Sequence, residues 1–160
     1  MTVWNSLANW TRSTSMAAWG ITVLRVTVGT VFLAHGLQKA FLTGVAGVAE
    51  FMGQAGIPLP MTSALVVTGV ETLCGLALVA GFLTRWAAIP LAIVMLVATA
   101  IVHLPAGFFL PNGFEYALTL LAACVSLSLL GSGACALDNV LPAGRESVKT
   151  EARTAVRRAA

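Results

Sequence analysis

The sequence predicts an all-α integral membrane protein, a four-transmembrane-helix bundle with a short interfacial helix in the first outer loop. Three observations predict it. Of the 160 residues, 58% are hydrophobic and only 9% are charged, against about a quarter charged in an ordinary soluble domain. So few charges cannot cover the surface of a water-soluble domain of this size. The apolar residues gather in four runs, Ala17 to Leu37, Met61 to Leu83, Trp86 to Val102 and Tyr116 to Leu137. Each is close to the roughly 20 residues that cross a bilayer as a helix. The runs are continuously apolar rather than alternating, which suits helices and not the strands of a membrane barrel.

Taken in order, residues 1–15 form a short N-terminal segment carrying Arg12. The first run is interrupted by Arg25 and His35. It is longer than a secretory signal core, and no small-x-small cleavage pattern follows, so a permanent span is expected. In the loop after it, Val45, Val48, Ala49 and Met52 recur at helical spacing, and Pro58 and Pro60 stop the pattern. That predicts a short amphipathic helix lying on the outer interface. Glu71 alone interrupts the second run, and the connection to the third, Thr84-Arg85-Trp86, is short enough to make the two antiparallel neighbours. The loop from Leu104 to Phe114 holds two prolines, two glycines and three phenylalanines, and aromatics at that depth suit the headgroup layer. The fourth run is uncharged. The membrane domain is thus expected over residues 16–138, with a basic tail over 139–160.

Basic residues set the orientation. Arg12, Arg85 and the tail residues Arg145, Lys149, Arg153, Arg157 and Arg158 all fall on one side of the four spans. Both termini are therefore expected to be cytoplasmic. The net charge of +3 comes from the tail, where each base near an anionic lipid surface contributes about 1 kcal/mol of attraction. Nucleic acid is not an expected partner, because the tail has neither aromatics nor a recognisable binding fold. Cys74, Cys124 and Cys135 show no C-x-x-C spacing and are expected to act as small hydrophobes.

Polar residues inside the spans carry the functional signal. At a helix centre Arg25 and Glu71 each cost roughly 2.5–3.5 kcal/mol to insert, so such residues usually face the bundle and pair. At 1.5 Å per residue, Arg25 stands about 9 Å, and Glu71 about 18 Å, above the cytoplasmic ends of their helices. That difference is within side-chain reach, which predicts an Arg25–Glu71 pair, either functional or a pin for helix register. A second group lies at the outer helix ends: His35, Gln38 and Lys39 from the first hairpin, with His103, Asn112, Glu115 and Tyr116 from the second. These are expected to converge into one polar pocket beneath the interfacial helix, the alternative being a solvated rim. Imidazole beside carboxylate is equipment for moving protons.

The stretches RVTVGTVFLAHGLQK (Arg25 to Lys39), GIPLP (Gly56 to Pro60), ETLCGLALVAGFLTR (Glu71 to Arg85), HLPAGFF and NGFEY resemble the DoxX family. The resemblance covers about Leu24 to Asp138. It implies a small multi-pass protein of the bacterial inner (plasma) membrane, with relatives linked to quinone chemistry. Among them, the small subunit of a thiosulfate:quinone oxidoreductase looks similar. The family's polar signature falls on Arg25, His35, Lys39, Glu71, Arg85, His103, Asn112, Glu115 and Tyr116, and Arg85 is assigned to topology.

On that resemblance the expected function is a quinone-linked redox protein, or the quinone-binding subunit of an oxidoreductase complex. His35, His103 and Glu115 are the expected catalytic residues, exchanging protons. Arg25, Lys39, Glu71, Asn112 and Tyr116 are expected to bind quinone or a small aromatic substrate, Lys39 or Arg25 stabilising negative charge. The sequence shows no flavin, nucleotide or iron–sulfur motif and no metal site, so electrons would need a redox partner protein or a bound organic cofactor, quinone being the one considered. Beyond that partner and the lipid bilayer, a homo-oligomer is considered. One alternative is a small-solute permease or a non-catalytic membrane anchor or assembly subunit. A minor one is a haem held by His35 and His103, with Gly29, Gly36 and Gly107 making room.

Overall fold

Between apolar helices no hydrophobic force selects partners, so packing follows wherever small residues let two backbones approach. The computed structural model describes residues 14–140. The N-terminal segment with Arg12 and the basic tail lie outside the described residues. Helix α1 (Thr14–Leu37) passes through a π-helical segment, Gln38–Thr43, into a shorter α2 (Gly44–Gln54). Gly44, at φ 73°, re-aims the chain between them, a conformation glycine adopts without steric cost. Helix α3 (Pro60–Ala80) starts on a proline, whose missing N–H costs nothing there. The turn Gly81–Leu83 leads into α4 (Thr84–Val97), which continues as a second π segment, Ala98–His103. After the loop comes α5 (Glu115–Leu130).

The bundle is two antiparallel helix pairs: α1 packs chiefly on α3, and α4 on α5. Glycine sets the first contact. A Cβ on Gly75 would lie 2.6 Å from the Leu33 amide nitrogen and 3.0 Å from the Gly29 carbonyl oxygen. One on Gly36 would lie 2.6 Å from the Thr72 amide nitrogen. The α1 and α3 backbones thus touch along most of their shared length. Val28, Phe32, Leu78, Leu91, Leu120, Cys124 and Leu127 form the core between the pairs. The outside is at least as apolar as the inside: Val23, Leu65, Leu73, Ile93 and Leu129 are all more than half exposed. A monomeric soluble domain rarely shows so much exposed apolar surface, whereas lipid tails welcome it.

One expectation changes here, the extent of the fourth span. Three helical stretches, Met16–Gln54, Pro60–Ala80 and Thr84–Ala106, are long and apolar enough to cross a membrane, while α5 is apolar but has only 16 residues. The fourth apolar run does not stay helical to Leu137. It stops at Leu130, and Gly131 (φ 90°) and Gly133 (φ 70°) turn the chain back across the bundle. The apolar stripe of α2 is present, and Val48, Ala49 and Met52 pack on Ala64 of α3.

Candidate functional site

At the near end, where α1 begins and α5 finishes, Arg25 does not meet Glu71. Its guanidinium donates through one NH₂ group to the carbonyls of Leu78 (2.5 Å) and Val79 (3.1 Å), and through the other to that of Cys135 (3.1 Å). The residue is 1% exposed. Both carbonyls belong to the last turn of α3, where Leu78 O also accepts the Gly81 amide (3.1 Å), and a cation at a helix C-terminus is electrostatically favoured. The returning segment supplies the rest. Thr22 donates to Ala134 O (2.7 Å), and Asp138 accepts from the amides of Leu83 (2.7 Å) and Thr84 (3.1 Å). Asp138 thereby caps α4 from another part of the chain. Arg25 is a clasp across the near end. The expected Arg25–Glu71 pair fails because the C-terminus of α3 offers closer acceptors.

Glu71 is paired at the far end instead. Lys39, in the π segment after α1, reaches back to Glu71 Oε2 at 2.5 Å. The Glu71 side chain is 4% exposed and that of Lys39 25%. The close approach of Gly36 to Glu71 and Thr72 brings α1 near enough for this reach. Helix α3 buries Ala64, Thr68, Glu71, Gly75 and Leu78 on one stripe, the i, i+4, i+7 pattern of a single helix face. Thr68, one turn from Glu71 on that stripe, has a buried hydroxyl with no hydrogen-bond partner.

The second far-end cluster is built on the other hairpin. His103 ends the second π segment, and its Nδ1 lies 3.0 Å from the Asn112 carbonyl oxygen. With the neutral ring donating there, Nε2 is left as the acceptor. Glu115 Oε1 accepts the Leu110 amide at 2.9 Å, bracing the loop at the N-terminus of α5. Phe108 meets Phe109 and Phe114 edge-on, each with centroids 5.2 Å apart. Asn112 therefore contributes its backbone carbonyl, and Glu115 holds a loop. Tyr116 is 43% exposed, and His35 is exposed on α1. Among the described residues no hydrogen bond or ion pair links His35 or Lys39 to His103, Asn112, Glu115 or Tyr116. The far end thus carries two bonded polar groups, one on Lys39 and Glu71 and one on His103, Asn112 and Glu115. Gln38 and Lys39 lie in the first π segment and His103 in the second, and π turns inside helices frequently mark functional sites.

Sequence reasoning missed Asp138 as a cap and Thr68 altogether. The first had no local signal, since its partners lie more than fifty residues away. The second could have been found from its spacing to Glu71. Gly29 and Gly36 face the α3 backbone. Among the described residues no group of three or more His, Cys, Asp or Glu is arranged to hold a metal ion.

The family model described as DoxX matches residues 20–104, more than half of the chain. The chain belongs to the DoxX family. This DoxX protein is 33% identical to a Bacillus subtilis protein named "Putative oxidoreductase CatD" over 128 residues, covering 80% of this chain and 91% of that one. It is 34% identical to an uncharacterized membrane protein of Mycobacterium tuberculosis, over 74% of this chain and 78% of that one. It is 27% identical to the inner membrane protein YphA of Escherichia coli, over 72% and 86% of the two chains. No solved structure is a significant match. The DoxX match spans α1 to α4, so both Arg25 and the Lys39–Glu71 pair lie inside the family region, while Glu115 and Asp138 lie beyond it.

Proposed function

We propose that this chain is a quinone-linked redox protein of the bacterial inner membrane. In this reading its helices span the bilayer with both termini cytoplasmic, so the far end faces outward and α2 lies at the outer interface. The apolar exterior, the family and the name of the Escherichia coli relative support the setting. The redox class is supported by the name of the Bacillus subtilis relative. The observation that carries the reading is the buried Lys39–Glu71 ion pair, reached through the quarter-exposed lysine. A cation and an anion held together at low dielectric make a site that can both donate to and accept from one oxygen-bearing ring.

A quinone bound there would accept two electrons from a redox partner protein and two protons, becoming the hydroquinone. The chain's own residues bind and move protons. The Lys39 ammonium donates to a ring oxygen and stabilises negative charge on it, and Glu71 holds that ammonium in place. Nε2 of His103 is free to exchange a proton because Nδ1 is committed to Asn112. Glu115 keeps the loop that fixes that ring. His35, exposed at the same end, exchanges protons with the surroundings, and Tyr116 offers an aromatic edge at the mouth. Arg25, with its terminal nitrogens committed at the near end, leaves the quinone role to Lys39.

The test is solvent extraction of quinone from protein purified out of its membrane in mild detergent. Wild type is expected to retain quinone above an unrelated membrane protein prepared alongside it, and Lys39→Met and His103→Ala to lose it. Equal quinone in wild type and control would sink the reading and bring a permease or an assembly subunit forward.

A further inference from the structure

Helical hydroxyls in an apolar bundle have a default partner, the carbonyl four residues back. Thr22, Thr72, Thr99, Thr119 and Ser126 all take it, at 2.7–2.9 Å. Thr68 does not. It is 7% exposed, and its hydroxyl is buried without any hydrogen-bond partner. Leaving a buried hydroxyl without a partner is costly, and the usual remedy lies one turn away on its own helix.

Position says what the hydroxyl is for. On the buried stripe of α3, Thr68 stands between Ala64, which packs on α2, and Glu71, which holds Lys39. Residues three apart on a helix are surface neighbours, so the hydroxyl belongs to the same corner of α1, α2 and α3 as the ion pair.

We infer that Thr68 is a ligand-contact residue, and that Thr68, Lys39 and Glu71 together form the subsite for one ring oxygen of a quinone or phenol. Two donors, the hydroxyl and the ammonium, suit a carbonyl oxygen. The Glu71 carboxylate suits the same oxygen when it carries a proton. A donor–acceptor set of this kind holds the ring in both its oxidised and its hydroxylic form. This inference rests on the quinone reading above and adds to it the residue that orients the head group.

The test uses the full chain in detergent micelles, titrated with decylubiquinone, with thermal unfolding of the ligand-free protein measured in parallel. Thr68→Val keeps the shape and removes the hydroxyl, and Thr68→Ser keeps the hydroxyl. Thr68→Val is expected to weaken binding about tenfold, the effect of one hydrogen bond, with Thr68→Ser restoring it to within about threefold of wild type. The Tm of ligand-free Thr68→Val is expected to match or exceed wild type, because an unsatisfied polar group has been removed. Wild-type affinity in Thr68→Val would overturn the inference while leaving the quinone reading standing. A lowered ligand-free Tm in Thr68→Val would also overturn it, since the hydroxyl would then be a structural bond. No binding by wild type would remove the quinone reading itself, and the subsite with it.

Discussion

Replacing Glu71 by glutamine, alone and combined with Lys39→Met or Arg25→Gln, separates the two pairings open to this carboxylate. Lys39 Nζ and Glu71 Oε2 are 2.5 Å apart, with side chains 25% and 4% exposed. Two unit charges about 4 Å apart interact by about 4 kcal/mol at an effective dielectric of 20. Stranding one partner of a fully buried pair costs about 3–5 kcal/mol. The lysine is a quarter in solvent, which screens part of this, so a coupling of about 2 kcal/mol is expected between Lys39 and Glu71. Arg25 shares no hydrogen bond with Glu71, and separated sites add to within about 0.5 kcal/mol. The assay is a double-mutant cycle on reversible unfolding in mixed micelles, with helicity followed as dodecyl sulfate is raised. A Lys39–Glu71 coupling indistinguishable from zero, or an Arg25–Glu71 coupling of equal size, would refute this electrostatic assignment.

Gly75→Ala places a methyl 2.6 Å from the Leu33 amide nitrogen and is expected to destabilise by about 1–3 kcal/mol. Gly69→Ala, with nothing within 4 Å, is expected to be neutral or slightly stabilising, and thermal melts in detergent compare the two. Asp138→Ala removes the acceptor for the Leu83 and Thr84 amides, an expected loss of about 0.5–2 kcal/mol. Hydrogen exchange at those two amides reports it, and unchanged protection would show the cap to be idle. Glu115→Gln retains an acceptor for the Leu110 amide, so loop protection is expected to persist. In Glu115→Ala that amide is expected to exchange faster, and equal rates in both variants would contradict the bracing role.

The helices were legible because hydropathy is a local property, and a long apolar run has few other ways to satisfy its backbone in lipid. Partners were not legible to the same degree. Arg25 and Glu71 were matched by depth, but a helix turns about 100° per residue, and rise alone does not say which way a side chain faces. What decides facing is the glycine contact of Gly29, Gly36 and Gly75, where the absence of side chains carries the information. The end of the fourth run misled for a related reason. Gly131 to Leu137 is apolar enough to extend a span, yet two glycines at positive φ turn it into the strap that Arg25, Thr22 and Asp138 hold. Topology brings the polar residues of α1 and of the loop before α5 to one end of the bundle. Which of them bond to one another depends on π segments and a loop, which no periodicity announces.

The most direct measurement is the ultraviolet–visible difference spectrum of the purified protein before and after borohydride reduction, with Lys39→Met prepared alongside. A quinone at the Lys39–Glu71 pair predicts an ultraviolet change in wild type, its loss in Lys39→Met, and no Soret band in either. A flat ultraviolet difference from wild type, or a Soret band, would contradict it.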